Sequence, residues 1–250
     1  MMPTALASAW NIDDNRVLII SRADYFTADL APTSIMGTPV AGRFRRIESN
    51  TYAEFGLTKD ITIGGKIFYG TSWLTRGTDT TTATGISELE GFAQYQVFRN
   101  DRHAGAIKVT GGIPSTLGSG AQPSLESNGA EGEVAALYGR TISYAPIKIF
   151  AATEIGYRKR FSDPADQARL LTTIGIEAHK KFLILFDTFS IKSLGNERPG
   201  GADFDIVKIQ PSLLWRVSKR LSIQAGVSEE IAGRNIDLGR TVFLGLHTRF

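Results

Sequence analysis

The chain ends in the stretch Asp237-Leu-Gly-Arg-Thr-Val-Phe-Leu-Gly-Leu-His-Thr-Arg-Phe250, in which two kinds of side chain alternate. In an extended conformation one face carries Val242, Leu244, Leu246, Thr248 and Phe250. The other face carries Thr241, Phe243, Gly245, His247 and Arg249. A period of two residues is the pattern of a β-strand. The stretch therefore predicts a strand with one apolar and one mixed polar face that runs to the final residue.

Length and composition restrict the class of fold. A chain of 250 residues fits one large all-β domain. It contains no run of about 18 apolar residues, which excludes a helical membrane protein. A mean hydropathy of -0.07 still allows a transmembrane barrel, because half of each barrel strand faces a polar lumen. The absence of cysteine argues against a disulfide scaffold or a thiolate metal site and is compatible with passage through the periplasm.

The C-terminal strand resembles the closing strand of bacterial outer-membrane β-barrels. In those proteins the terminal aromatic residue and the alternating apolar residues before it are read by the barrel-assembly machinery. The resemblance implies that role for Phe250, together with contacts to outer-membrane lipid and lipopolysaccharide. The stretch from Tyr52 to Asp60, followed by Ile-Thr-Ile-Gly, also resembles strand-turn-strand units of small proteobacterial barrels, which include predicted channel families for small organic solutes.

The alternation recurs along the whole chain. It predicts strands at about 16–26, 46–57, 61–73, 88–98, 107–113, 133–142, 147–160, 168–177, 182–192, 207–217, 221–230 and 237–250. Pro211 departs from the pattern, since proline removes a donor from a strand ladder. Short connections are predicted near residues 58, 99, 143, 179 and 218, and mostly longer ones near 27 and 74, at 115–130, 161–166 and 194–201, and near 232. Short periplasmic turns, longer external loops and an even strand number are the arrangement of outer-membrane barrels.

The predicted fold is therefore an all-β, transmembrane, antiparallel up-and-down β-barrel of about 12 strands. A soluble β-sandwich or propeller would give strands of similar spacing. The barrel is favoured because aromatic residues lie on the apolar face toward strand ends, where an interfacial girdle belongs. They are Tyr69, Trp73, Tyr95, Tyr157 and Trp215.

The N-terminus carries a targeting hint. Ala7-Ser8-Ala9 has the small-x-small form of a signal-peptidase site, although no basic region or full apolar region precedes it. We expect residues 1–9 to be a signal-peptide remnant and residues 10–250 to be a single barrel domain. An ordinary flexible N-terminus is the alternative.

No catalytic or metal-binding constellation is visible in the sequence. His103 and His179 lie in short turns, and His247 is predicted to face the lumen near the periplasmic end. Barrel lipases need a Ser, His and Asn cluster, and barrel proteases need acidic residues with a His at the external rim. We therefore expect no enzymatic activity, no cofactor and no metal.

The informative residues are the charges predicted on the polar face. The candidates for a channel lining or a salt-bridge network are Arg46, Glu48, Glu54, Lys66, Glu88, Glu90, Lys108, Glu154, Arg158, Arg169, Glu177, Lys208, Arg216 and Glu230. Further charges on that face are Glu133, Asp187 and Arg249. The two signs nearly cancel. Two interpretations stay open: ion pairs that fill a narrow barrel, and a channel wall for a small polar or zwitterionic solute.

Turn positions give the strand register for two of these charges. The turn at Ser218 places Lys208 directly across from Glu230. The turn at Thr58 places Glu54 diagonal to Lys66. Lys208 and Glu230 are therefore expected to form an ion pair inside the barrel.

The expected function is passive passage of small polar solutes across the outer membrane by a monomer. The alternative is a closed structural or accessory barrel, for example one that assists surface-polysaccharide export or binds a partner through external loops. Basic residues concentrate in the short turns, at Arg99, Arg102, Lys180, Lys181, Lys219 and Arg220. This suggests contact with anionic groups at the periplasmic surface, and it gives no indication of nucleic-acid binding.

Overall fold

The computed structural model describes residues 8–35, 38–114, 129–161, 165–195 and 203–250. Within these ranges no helix is both long and apolar enough to cross a bilayer. The described residues form twelve strands: β1 (Val17–Ile35), β2 (Thr38–Gly56), β3 (Ile61–Arg76), β4 (Asp79–Arg99), β5 (His103–Pro114), β6 (Glu131–Ser143), β7 (Lys148–Arg160), β8 (Gln167–His179), β9 (Phe182–Ser193), β10 (Asp205–Arg216), β11 (Leu221–Arg234) and β12 (Gly239–Arg249).

The strands close into one antiparallel barrel. Each strand pairs with its neighbours in the chain, and β1 pairs with β12 from Leu18 opposite Arg249 to Ala28 opposite Gly239. Closure satisfies the backbone hydrogen bonds that an open sheet edge would leave unpaired, which is a requirement inside a lipid bilayer. The predicted fold class is confirmed.

Burial in the barrel is inverted relative to a soluble protein. The outer wall exposes large apolar side chains such as Val134, Ile155 and Leu244. The inside buries polar groups such as Gln210 and Asp187, which are 2% and 1% exposed. A soluble domain rarely exposes a continuous apolar surface of this extent, whereas a membrane barrel presents one to lipid.

Two of the predicted long connections are wrong. The chain near residues 27 and 74 continues as strand, because β1 extends to Ile35 and β3 extends to Arg76. The β3–β4 hairpin closes with a tight turn at Gly77, whose φ of 59° suits glycine.

Threonine side chains explain why the β3–β4 hairpin is longer than the sequence pattern predicts. The hydroxyls of Thr71 and Thr84 lie 2.9 Å apart across the strands, and those of Thr75 and Thr80 lie 3.0 Å apart. A polar, β-branched run resembles a loop by hydropathy, but it favours a strand by its side-chain packing.

Several sequence predictions fall wholly or partly outside the described residues. The loop predicted from 115 to 130 is described only at 129 and 130, and the loops predicted at 161–166 and 194–201 are described only at their ends. The predicted signal-peptide remnant is described only at Ser8 and Ala9, so the boundary after Ala9 stays a prediction.

Pro211 lies inside β10 at a gap in the ladder with β11. The paired residues run to Ile209 opposite Glu229 and resume at Ser212 opposite Gly226, without a shift of register. A Cβ at Gly226 would lie 2.6 Å from the Pro211 carbonyl oxygen, so the backbones approach closely here. Proline has no N–H to donate to a neighbouring strand, and Pro211 lies where the β10–β11 pairing is interrupted.

Phe250 completes the seam between the chain ends. Its N–H donates to the Val17 carbonyl oxygen at 3.0 Å, and the Val17 N–H donates to the Phe250 carbonyl oxygen at 3.2 Å. The Phe250 side chain is exposed on the barrel surface. Its ring therefore contributes little to the packed interior.

We expect Phe250→Ala to slow membrane assembly while leaving the stability of the assembled barrel nearly unchanged. The substitution keeps both backbone bonds to Val17 and removes only the exposed ring, which makes it a sharper test than deletion. Pulse-chase measurement of the heat-modifiable folded form would give the rate, with Leu57→Ala in a periplasmic turn as control. Wild-type kinetics for Phe250→Ala would contradict the role of assembly signal.

Candidate functional site: the barrel lumen

A cavity of about 1090 Å³ occupies the barrel interior. It is lined along β1 from Leu18 to Phe26 and along β2 from Phe44 to Glu54. At about 3.3 Å per residue the β1 lining covers about 26 Å along the strand, which at the usual strand tilt is about 20 Å of barrel height and most of the apolar band of a membrane barrel. At the end of the barrel that holds the chain termini, the cavity reaches Lys219 in the β10–β11 turn. The described residues therefore leave a cavity along much of the lumen.

One side of the lumen wall is built around Arg158 of β7. Its guanidinium donates to Glu133 at 2.8 Å and to Glu90 at 3.0 Å, contacts Glu131, and lies 3.9 Å from Glu88. Only Glu133 lies directly opposite Arg158 in the neighbouring strand β6. Glu88 and Glu90 belong to β4, so Arg158 links strands that do not pair with each other.

Three further cations complete this cluster. Arg169 lies 2.5 Å from Glu133, Lys66 lies 3.5 Å from Glu90, and Arg160 lies 3.7 Å from Glu131. Four carboxylates thus face four cations, and the local charges balance. We call these eight residues the Arg158 cluster: Lys66, Glu88, Glu90, Glu131, Glu133, Arg158, Arg160 and Arg169.

Carboxylate oxygens of Glu88, Glu90 and Glu131 lie within 4.8 Å of one another, a spacing that could hold a metal ion. The Arg158 guanidinium contacts the same three carboxylates. A guanidinium supplies the positive charge that such a group of carboxylates requires.

A second polar network crosses the lumen from β1. Arg22 donates to Asp24 at 2.5 Å and to Gln210 at 3.2 Å, and Gln210 donates to Asp187 at 3.2 Å. Thr173 also donates to Asp187, at 2.5 Å. Arg22 and Asp24 are absent from the sequence-predicted set because β1 carries apolar residues on both faces near its start, which obscures its orientation.

The predicted pair of Lys208 and Glu230 is present. The two residues are directly opposite in β10 and β11, with Nζ and Oε1 2.8 Å apart. The second carboxylate oxygen of Glu230 accepts a hydrogen bond from the N–H of Gly239 at 2.8 Å.

The predicted diagonal placement of Glu54 and Lys66 is confirmed, since Glu54 lies opposite Gly64 and Lys66 opposite Tyr52, but the two side chains have other partners. Glu54 accepts a hydrogen bond from the Tyr52 hydroxyl at 2.5 Å, while Lys66 pairs with Glu90, which lies directly opposite it in β4. Directly opposed positions approach more closely than diagonal ones, which explains the choice of partner.

The other predicted residues also form pairs or lie by the lumen. Lys108 lies 2.6 Å from Glu154, Arg216 lies 2.5 Å from Glu177, and Arg46 lies 3.7 Å from Glu48. Of the predicted lining set, the cavity wall includes Arg46, Glu48, Glu54, Lys66, Glu90, Lys108, Glu154, Arg158, Arg169, Lys208 and Glu230. Glu88, Glu177 and Arg216 are not among its lining residues. A role for any of these residues in transport stays a prediction.

Aromatic rings form the other part of the lining. Phe26 and Phe44 meet edge to face with centroids 6.0 Å apart, and Phe92 stacks on Tyr52 at 5.5 Å. Phe68 and Phe189 line the same cavity. The sequence alternation places Phe68 and Phe92 away from the lipid face, but the contribution of these rings and Phe26 to an apolar lumen surface is visible only in the structure.

A bidentate ion pair lies at the opposite, external end of the barrel. The Arg234 guanidinium donates to both carboxylate oxygens of Asp203, at 2.8 and 3.1 Å. These hydrogen bonds hold the pKa of the Asp203 carboxyl below its ordinary value. Arg234 also bonds Asp205, so it ties the chain before β10 to the end of β11.

Neither a protein-family model nor a curated protein matches this sequence. Solved structures are similar to this chain. The COG4313 outer membrane channel from Pseudomonas putida F1 is similar with a TM-score of 0.72 and 8% identity, covering 99% of this chain and 100% of that chain. The chain has the fold of bacterial outer-membrane β-barrels. With its apolar outer wall, this fold places the protein in a bacterial outer membrane.

Two further outer-membrane barrels show the same likeness. The NanC porin matches with a TM-score of 0.58 and 8% identity, covering 92% of this chain and 98% of that chain. The translocator domain of the autotransporter NalP from Neisseria meningitidis matches with a TM-score of 0.52 and 12% identity, covering 96% and 90%. At such low identity the likeness shows the fold, and the predicted resemblance to outer-membrane barrels is confirmed.

Proposed function

We propose that the protein is a passive channel for small polar solutes. The observation that carries the proposal is the cavity of about 1090 Å³, which extends along β1 and β2 and reaches the turn at the end that holds the termini. A barrel whose only role were structural would gain stability from filling that space with side chains. The similarity to a channel and a porin supports the proposal.

The lining favours weak charge selectivity. Its charges are held in pairs such as Lys208 with Glu230 and Lys108 with Glu154, so neither sign dominates the wall. Rings such as Phe26 and Phe92 offer apolar surface beside these pairs. We infer that the channel favours small solutes that carry both polar groups and an apolar part.

One observation favours the second candidate, a closed accessory barrel. The Arg158 cluster and the network around Asp187 project many paired side chains from the wall, and paired charges are also how a closed barrel satisfies its interior. The two functions differ in whether solutes cross the membrane through the lumen.

Liposome swelling separates the two candidates. We expect proteoliposomes to swell in small neutral and zwitterionic solutes at rates that fall steeply with solute size, and liposomes with heat-unfolded protein to serve as the control. Equal swelling rates with folded and unfolded protein would favour the closed barrel.

Lys208→Ala is expected to shift the current toward cations. The change leaves the Glu230 charge on the wall, and the Gly239 N–H still binds it. Lys208 is about one-third exposed to the lumen, but the Glu230 carboxylate that loses its partner is buried, so the loss of unfolding free energy should be about 1–3 kcal/mol. The reversal potential in a salt gradient measures the shift, and Arg43→Ala, in an exposed pair with Asp29, is the control. An unchanged reversal potential would show that Lys208 does not border the path of ions.

A further inference from the structure

Part of the chain before β1, residues 8–12, lies inside the barrel. Ala9 is fully buried, Asn11 is 1% exposed, and the large ring of Trp10 is 9% exposed. We call Ser8–Ile12 the inner segment, and the predicted cleavage after Ala9 would leave its residues Trp10, Asn11 and Ile12 in place. It enters the lumen at the end that holds the short turns and the chain termini.

Hydrogen bonds fix the inner segment to two glutamines of β4. Gln96 donates to the Ala9 carbonyl oxygen at 2.8 Å and accepts from the Asn11 N–H at 2.9 Å. Gln94 donates to the Asn11 side-chain oxygen at 2.9 Å and to the Ser8 carbonyl oxygen at 3.2 Å. Both glutamines are buried, so their polar groups serve the segment and not a passing solute.

The wall against which the segment packs is built mostly from small residues. Ala9 and Trp10 pack in one cluster with Ala104, Ala106, Ala135, Leu137 and Ala152. Alanine at these lumen-facing positions of β5, β6 and β7 leaves space that charged residues occupy elsewhere in the barrel. The Trp10 ring also meets Phe150 edge to face, with centroids 6.5 Å apart.

Gly139 of β6 completes the seat of Trp10. A Cβ at position 139 would lie 2.4 Å from the Trp10 ring, a distance that real Cβ contacts do not show. The ring therefore lies against the bare backbone of β6. Small wall residues and a glycine under the ring indicate a seat shaped for Trp10.

Trp10 lies between two spaces. It lines the main lumen cavity, and it also lines a second cavity of about 630 Å³ bordered by the turn residues Lys59, Asn100 and Tyr144. The main cavity reaches the same end of the barrel on the other side, beside Lys219. Among the described residues, the inner segment thus covers one side of the mouth, and the cavity continues to Lys219 on the other.

We propose that the inner segment is the constriction of the channel and that Trp10 is the residue that sets its size limit. The inference rests on the proposed channel function and specifies where that channel selects by size. Removing the ring, or displacing it from its seat, joins the second cavity to the lumen and widens the exit.

Two substitutions should widen this constriction by independent routes. Trp10→Ala removes the ring, and Gly139→Ala displaces it without changing the sequence of the inner segment. We expect each to raise single-channel conductance about twofold, since conductance follows the cross-section of the narrowest part of the pore. In Trp10→Ala protein, Gly139→Ala should have no further effect, because the atoms that it would meet are gone. Gly111→Ala is the matched control, since a Cβ there meets nothing within 4 Å.

Fluorescence reports the position of Trp10 separately from current. In a Trp73→Phe, Trp215→Phe background, Trp10 is the single tryptophan of the chain. We expect iodide to quench it weakly and Gly139→Ala to increase the quenching several-fold. If Gly139→Ala left the quenching unchanged, the Trp10 ring would not lie against Gly139.

The outcomes separate this inference from the proposed function. If the wild-type protein gives current and both Trp10→Ala and Gly139→Ala have the wild-type conductance, the constriction is overturned and the channel stands. Current only in the two variants supports the constriction and shows that the wild-type barrel is closed. Absence of current in all of them overturns both.

Discussion

Replacing Arg158 by methionine is expected to lower the free energy of unfolding of the barrel by about 3–5 kcal/mol. The substitution keeps much of the side-chain volume and removes the charge that contacts Glu90, Glu131 and Glu133. Glu131 and Glu133 are both largely buried, so water cannot readily replace the lost partner. Arg169 and Arg160 remain near these carboxylates, which is why we expect a weakened barrel and not a failure to fold.

Urea titration of the heat-modifiable band in detergent measures this loss. Arg240→Met is the matched control, because Arg240 pairs with Glu229 at 2.5 Å on the exposed rim. Exposed ion pairs contribute about 0–1 kcal/mol, so the control should shift the midpoint little. Equal shifts for both variants would contradict a structural role for the Arg158 cluster and would indicate that water solvates that part of the lumen freely.

Leu244→Arg is the second substitution with a large expected effect. Leu244 lies near the middle of β12 and is 58% exposed on the apolar outer wall. An arginine near the bilayer midplane of a barrel costs about 2–4 kcal/mol, because its charge must enter hydrocarbon or distort the membrane.

The control for that substitution is Leu57→Arg. Leu57 is similarly exposed but lies in the β2–β3 turn, at the end of the barrel, where the cost falls to about 0–1 kcal/mol. Stability should be measured in phospholipid vesicles. A similar effect at both positions, or no effect at Leu244, would show that the outer wall of β12 does not face the hydrocarbon.

Strand pairing could be predicted from the sequence because alternation and turn position are local. The turn at Ser218 fixes which residues of β10 and β11 face each other, and Lys208 pairs with Glu230 as that register requires. The turn at Thr58 likewise fixes Glu54 diagonal to Lys66, but register alone does not decide whether a diagonal pair forms, and Glu54 binds the nearby Tyr52 hydroxyl.

Contacts across the lumen could not be predicted in the same way. Arg158 meets Glu133 of the adjacent strand, which register suggests, but it also meets Glu90 three strands away. That second contact depends on how the closed sheet curves and on the length of the arginine side chain. Periodicity along one strand contains no information about either.

The inner segment left only a weak sequence signal. Gln94 and Gln96 alternate with apolar residues, which places them on the lumen face, and the structure shows that they also hold Asn11 and Ala9. Alanines such as Ala104 and Ala135 on the lumen face were the available hint, since small residues at interior positions indicate that another part of the chain packs there.

Single-channel recording of the purified wild-type chain in planar bilayers tests the open lumen most directly. The structure predicts steady current steps with weak charge selectivity, because the cavity runs along the barrel and its charges are paired. The recording should use protein whose heat-modifiable band shows it to be folded. A folded barrel that gives no steady current would contradict the channel.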